Sequence, residues 1–383
     1  DGRDVPYWNT FYQKVIWPKP DAATVSAQTG VSEEEAASAC AAFERDRDLR
    51  ALDPRIAGYL LANRSYLGQM DLNVQDARVW RYYAETLSTL ASWGAKVVRL
   101  DAFVRLHKAV GRANFMNEPE TWEILDRLRG MAEARGMQVL PEIHSPYETG
   151  AYRKLHALGC AGYDYFLPGL IIDALDSKDP TYLCAWISEI VCDGLRTVNM
   201  LGCHDGIPIR DLKGLLPEER RMALVQRIEA RGGIAKLIHG RQTEVYQMCA
   251  TYLSALGGDT RRLLLARAIQ VFTPGANQVW YMDLLAREND AEALRDGADA
   301  REINRSVLSE ACVDASLARD VVQAQLRLLR MKREHPAFAE GAHVQVRLTG
   351  AHAFEIAWKY GTARARLYAD LETEGFWVET GEG

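Results

Sequence analysis

The sequence predicts an α/β protein built on parallel strands and closed by a small antiparallel β domain. Three observations lead there. From about Asp76 to His335, helical segments with one apolar face alternate with short apolar runs, the pattern of successive βα units. Beyond the break at His335-Pro336 the texture becomes strict alternation: Val344, Val346 and Leu348, then Phe354, Ile356 and Trp358, then Ala365, Leu367 and Ala369. The first 75 residues follow neither rhythm. The expected division is residues 1–75 as an insertion of loop and helix, 76–335 as the α/β body, and 336–383 as the β domain.

Within the leading segment, Ser32 and Glu35 read as a capping box that opens an alanine-rich helix running to about Arg45. Its flanks, Trp17 to Ala23 and Asp46 to Arg55, read as loop. The body opens with a helix in which Val79, Tyr83, Leu87 and Leu90 recur at helical spacing, stopped by Gly94. A strand from Val97 to Leu100 follows and ends in Asp101. The next helix has Pro119 in its first turn, turns Trp122, Leu125, Leu128 and Met131 inward, and closes on Gly136. It leads to a strand from Gln138 to Leu140 that ends in Pro141 and Glu142. Further strands are expected at Tyr163 to Leu167, Thr197 to Leu201 and Ala268 to Phe272, five parallel strands together. A helix from Leu317 to Arg333 precedes the β domain.

Composition excludes several functions. Lys and Arg number 46 against 52 Asp and Glu, a net charge of −6, and the basic residues are scattered among acidic ones. A nucleic acid partner is not expected from that balance. The richest apolar run, Phe166 to Leu175, is interrupted by Pro168, Gly169 and Asp173 and is too short to span a bilayer, so no membrane partner is expected either. Seven cysteines, an odd number without a C-x-x-C pair, argue against a disulfide framework and a thiolate zinc site, and fit a reducing cytoplasm.

The chemistry concentrates at strand ends. In VVRLDAF, Arg99 and Asp101 lie two apart and share a face of the strand. A guanidinium beside a carboxylate keeps it ionised. Such a pair is either a structural ion pair or a nucleophile held ready at the C-terminal end of a barrel strand. The next strand ends in LPEIH and delivers Glu142 to the same rim, as a cap for the following segment or as a proton donor. Two carboxyl groups about 5 Å apart are what a retaining glycosidase uses. His144 is read as a wall residue. After the strand at Thr197, the segment GCHDGI carries His204 and Asp205 on a turn flanked by Gly202 and Gly206.

Taken in order, these motifs resemble the last three conserved regions of the α-amylase superfamily, glycoside hydrolase family 13. The stretches EPETWEILD, VLPEIH, CHDGI with DLKGLLP, YQMCATYLSALGG, and REIN followed by Arg305 sharpen the resemblance to its sucrose phosphorylase branch. It covers roughly Gln69 to Val378. It implies a (β/α)8 barrel in which the five strands above are strands four to eight. The first conserved region has no counterpart in residues 1–75, so the barrel is read as N-terminally incomplete, with an exposed edge on strand four. It also implies roles: Asp101 as nucleophile, Glu142 as general acid/base, and Asp205 as transition-state stabiliser. Arg99, His204, Arg305, Tyr246 and Gln247 would surround the sugar.

The implied reaction is retaining α-glucosyl transfer from sucrose or a related small α-glucoside to inorganic phosphate, with no cofactor and no metal; hydrolysis, with water as acceptor, is the alternative. Gly232 to Gln247 resembles the mobile loop of these phosphorylases and offers Lys236, His239 and Arg241 as anion donors, although Glu244 opposes them. Two remoter readings are a barrel hydrolase with metal on Glu142, His144, Cys203, His204 and Asp205, and an inactive amylase-like binding module. The retention of all three carboxylates argues against the last.

Overall fold

The computed structural model describes residues 13–19, 21–46, 48–68, 72–109, 112, 115–238, 244–297 and 299–382. The chain divides into two units, Asp1–Ser88 with Phe103–Ile124, and Thr89–Ala102 with Leu125–Gly383.

In the first unit three helices, Ala22–Thr29, Glu33–Asp46 and Pro54–Ala62, gather Val25, Val31, Ala36, Phe43, Ile56 and Leu60 into one buried cluster. The Trp17 ring meets Phe43 edge-on, with centroids 5.0 Å apart. The Ser32 capping box is formed: Ser32 N–H donates to Glu35 Oε2 at 3.1 Å, and Glu35 N–H to Ser32 Oγ at 3.3 Å. The flanks expected as loop are partly helical. Asp21 caps Ala22–Thr29 by accepting from Thr24 N–H at 2.8 Å, and Asp53 caps a helix whose first residue is Pro54. Both are short, and caps rather than apolar periodicity define them. An antiparallel ribbon, Gln13–Ile16 with Ser65–Gly68, also belongs to this unit.

The helix Ala77–Ser92 buries Leu87 of the expected face while Val79, Tyr83 and Leu90 are half-buried; Trp80, outside that face, is buried with Leu87, and Gly94 beyond the helix sits at φ +86°. Glu120–Glu133 follows the cis bond Glu118-Pro119 and buries Ile124, Leu125, Leu128 and Ala132. Trp122 and Met131 are only half-buried, so the inward stripe is rotated from the expected one.

In the second unit, strand Val97–Leu100 pairs in parallel with Gln138–Pro141, Val97 opposite Gln138. Gly162–Asp164, Thr197–Asn199 and Ala276–Asn277 form a second parallel set with Thr197–Asn199 in the centre. Strands therefore neighbour one another in chain order and run the same way, as in a barrel, and their C-terminal ends share one rim. Two expected strands are shorter: those starting near Tyr163 and Thr197 end at Asp164 and Asn199.

The expected strand Ala268 to Phe272 is instead the last turn and a half of helix Thr260–Phe272. Almost every residue of this helix is buried, including Arg262, Arg267 and Gln270, so no apolar stripe with a 3.6-residue period exists to be read. The fifth parallel strand lies four residues beyond it and has only two residues, Ala276 pairing with Val198 and Asn277 with Asn199.

Phe166–Leu175 supplies the centre of the core as helix Leu167–Ser177, buried on all sides from Leu167 to Leu175. Each of Leu167, Leu170, Ile171 and Leu175 contributes roughly 1.5–3 kcal/mol of apolar burial. At the C-terminus four antiparallel strands, His343–Leu348, Ala353–Tyr360, Ala363–Asp370 and Gly375–Glu382, stand in chain order. The cross-strand row Val346, Ile356, Leu367 and Val378 faces inward, and Trp358 Nε1 donates to the Phe272 carbonyl at 2.8 Å, tying sheet to helix. The fourth strand lies beyond the alternation read from the sequence. Among the described residues no helix is long and apolar enough to cross a membrane.

Candidate active site

Strand Val97–Leu100 carries Arg99 and then Asp101 to the rim; the neighbouring strand carries Glu142 to the same height, Glu142 N–H donating to the Leu100 carbonyl at 3.1 Å. Arg99 spans the two carboxylates: Nη1 is 2.6 Å from Asp101 Oδ1, and Nη2 is 2.8 Å from Glu142 Oε2. The two carboxyl groups differ in setting. The Asp101 side chain is 59% exposed and that of Glu142 is 14% exposed. Burial pushes the Glu142 carboxyl up, and Asp101 beside it adds to this; His144 and Arg99 oppose the shift without cancelling it. One carboxyl is thus biased toward carrying a proton while its neighbour is bound to a guanidinium in open surroundings, the division that acid and nucleophile require. Ala102, next to Asp101, adopts φ +47°, turning the chain out of the strand at once.

The second half of the site is the turn after Thr197–Asn199. Gly206 holds φ +116°, and a Cβ there would meet the Met248 carbonyl oxygen at 2.2 Å, so this turn against strand Val245–Cys249 requires glycine. It places Asp205 where Oδ1 receives both Arg301 Nη1 at 3.0 Å and Arg305 Nη2 at 3.1 Å. The short helical segment Ala300–Asn304 is stitched to the turn elsewhere as well. Asn304 Nδ2 donates to the Cys203 carbonyl at 2.9 Å and Arg305 Nε to the His204 carbonyl at 2.6 Å. The Gln247 side-chain amide donates to the Asp205 carbonyl from the other side. Burial acts to raise the Asp205 carboxyl, but His204, Arg301 and His144 outweigh it and hold it below the usual carboxylate range. His204, 3.5 Å from Asp205 Oδ2, is held below its ordinary value by burial, aided by Arg305, Arg99 and Arg301 against Asp205.

A cleft of about 230 Å³ lies between the two halves, lined by Arg99, Glu142, His144, Tyr163, Tyr165, Met200, Cys203, His204, Asp205 and Gln278. Asp101 stands at its edge rather than in its lining. His144 is a wall residue, stacked on Tyr165 at 3.7 Å between centroids, with Tyr246 edge-on at 5.4 Å. Lys236 lies on strand Ile234–Leu237, opposite Gln247 and close enough to Asp299 to lower its carboxyl. His239 and Arg241 lie outside the described residues. Among the described residues no three His, Cys, Asp or Glu side chains gather to hold a metal ion; Glu142, His144, Cys203, His204 and Asp205 do not converge as a ligand set.

Tyr163, Tyr165, Gln278, Asp211 and Arg301 are site residues that the sequence reading does not single out. The tyrosines fall where a strand ends sooner than its apolar pattern, and Gln278 follows a two-residue strand with no pattern. Arg301 has a legible signal, since it opens the REIN stretch that leads to Arg305.

No family model matches the chain. Over 99% of its length it is 45% identical to a sucrose 6(F)-phosphate phosphorylase of Ilumatobacter coccineus, spanning 66% of that protein. It is 35% identical to a sucrose 6(F)-phosphate phosphorylase of Thermoanaerobacterium thermosaccharolyticum over 80% of the chain and 62% of the relative. The crystal structure of the sucrose 6F-phosphate phosphorylase from Thermoanaerobacter thermosaccharolyticum matches with a TM-score of 0.77 at 32% identity, over 83% of this chain and 66% of that one. An α-amylase from H. orenii, 13% identical with a TM-score of 0.55, shares the fold. The chain spans no more than 66% of the length of any of these.

Proposed function

Because the chain belongs to the sucrose phosphorylase-like enzymes of the α-amylase superfamily, with their (β/α)8 barrel and C-terminal β domain, we propose that the complete gene product transfers an α-glucosyl group from sucrose or a related small α-glucoside to inorganic phosphate. The product is α-glucose 1-phosphate. The observation that carries this reading is Arg99 joined to both Asp101 and Glu142, which brings two carboxyl groups from adjacent strands under one guanidinium.

In the proposed course, Asp101 attacks the anomeric carbon while Glu142 protonates the leaving oxygen, giving a covalent glucosyl-enzyme. Asp205, kept ionised by Arg301 and Arg305, accepts hydrogen bonds from sugar hydroxyls that grow more acidic as the ring becomes oxocarbenium-like. Glu142, now a carboxylate, takes the proton of the incoming acceptor, and the second displacement restores the α configuration. The relatives' names favour a donor phosphorylated on its fructosyl part, and Lys236, with Arg241 as the further candidate, is the proposed anion partner. Product analysis tests the whole reading: sucrose and sucrose 6F-phosphate are each offered with and without phosphate. Phosphate-dependent α-glucose 1-phosphate is the expected result; free glucose at the same rate with and without phosphate makes the protein a hydrolase.

A further inference from the structure

His144 has a carboxylate at each ring nitrogen. Nδ1 is 3.4 Å from Asp211 Oδ2, and Nε2 is 3.7 Å from Glu142 Oε1. Asp211 comes from the turn Arg210–Leu212, far along the chain, and its side chain is 2% exposed. Its other oxygen accepts Ser145 N–H at 3.0 Å, so one carboxylate fixes both the ring and the backbone beside it. Stacking on Tyr165 removes the remaining rotation. A neutral imidazole has one N–H, which Asp211 takes up at Nδ1; the imidazolium also turns an N–H toward Glu142, 3.7 Å away.

We propose that Asp211 is a positioning residue for the reaction: it fixes His144 as an imidazolium facing Glu142, and that charge helps Glu142 release its proton. The inference rests on the reading of Glu142 as the acid/base.

The groups that face the pair from every side agree with this. Around His144 stand Asp211, Glu142 and, farther off, Asp205, with the un-ionised phenols of Tyr165 and Tyr246; around Glu142 stand His144, Arg99, Asp101 and the phenol of Tyr163. Burial disfavours a charged His144, yet Asp211 above all, with smaller contributions from Glu142 and Asp205, outweighs it and holds the ring above its ordinary value. In Glu142 burial retains the proton and the imidazolium with Arg99 draws it off. A buried acid with no such partner would protonate its leaving group poorly, because the carboxylate left behind would be too costly in a low dielectric. Asp211 is therefore the source of a charge balance that the acid itself does not touch.

The test is Asp211→Asn in the complete gene product. Asparagine keeps the shape and an acceptor for Ser145 N–H but removes the charge. The His144 ring, followed by NMR of ring-labelled histidine, should titrate about one pH unit or more lower, and the basic limb of the kcat/KM profile should move to higher pH by a comparable amount. His144→Gln should move that limb the same way, and the double variant no further. A limb and a His144 titration both unmoved in Asp211→Asn make Asp211 a structural residue and overturn the inference; so does a limb that moves fully in the double variant but in neither single one. Glu142→Gln separates this from the underlying reading. If it keeps near-native turnover of sucrose or its phosphate, Glu142 is not the acid/base; if it loses that turnover but keeps activity on an α-glucosyl fluoride donor, while Asp211→Asn leaves the basic limb on sucrose in place, only the positioning role fails.

Discussion

Replacing Gly206 by alanine should displace Asp205 without touching any polar group of the site. At φ +116° an L side chain costs about 1–3 kcal/mol in backbone strain. The added Cβ would lie 2.2 Å from the Met248 carbonyl oxygen, whereas carbon–oxygen contacts lie at about 3.3 Å or more, so turn and strand must part by about 1 Å. The hydrogen bonds of Asp205 to Arg301 and Arg305 leave no slack for such a shift, since both start at about 3 Å. Under the role proposed for Asp205, a displacement of about 1 Å can lower the rate on the order of 100-fold. The assay is steady-state phosphorolysis beside urea denaturation. The expected outcome is kcat lowered by one to two orders of magnitude, a smaller change in KM, and a stability loss of at least about 2 kcal/mol. Turnover within threefold of the native protein would refute the claim that this turn sets the position of Asp205.

Asp101→Asn should abolish glucosyl transfer, whereas Glu142→Gln should retain activity on donors with good leaving groups; near-native turnover of Asp101→Asn on sucrose or its phosphate would exclude it as nucleophile. Asp283 is buried, accepts Tyr252 N–H at 2.9 Å, and burial raises its carboxyl to about 6. The folded value lies above the unfolded one, so the folded state binds more protons between about pH 4 and 6 and gains stability as pH falls. Between pH 7.5 and 5 the native protein should gain about 1.4 kcal/mol relative to Asp283→Asn, and parallel urea midpoints across that range would contradict it.

How much of this was legible in the sequence follows from how local each signal is. Arg99, Asp101 and Glu142 are announced by strands that end in them, and the structure brings them together because parallel neighbours put their C-terminal ends on one rim. Asp205 is announced by its glycines. The strand expected at Ala268 to Phe272 fails because a helix buried on every side has the same apolar continuity as a buried strand. The real strand, Ala276–Asn277, is too short to have a pattern. Asp211 opens the stretch DLKGLLP but carries no role there, because what it touches is set by the tertiary fold alone.

The two guanidiniums on Asp205 come from one turn of chain, Arg301 inside Ala300–Asn304 and Arg305 directly after it. Asp299 accepts from Arg301 N–H at 3.0 Å at the start of that turn, and Ser306 Oγ donates to Asp290 Oδ2 at 2.8 Å at its end. The stretch from Asp299 to Ser306 is therefore locked in length. A single inserted or deleted residue would rotate one arginine off the carboxylate while leaving the other in place. Lineages diverging in loop size, and designers grafting new loops around this cleft, have to place their joints outside those eight positions.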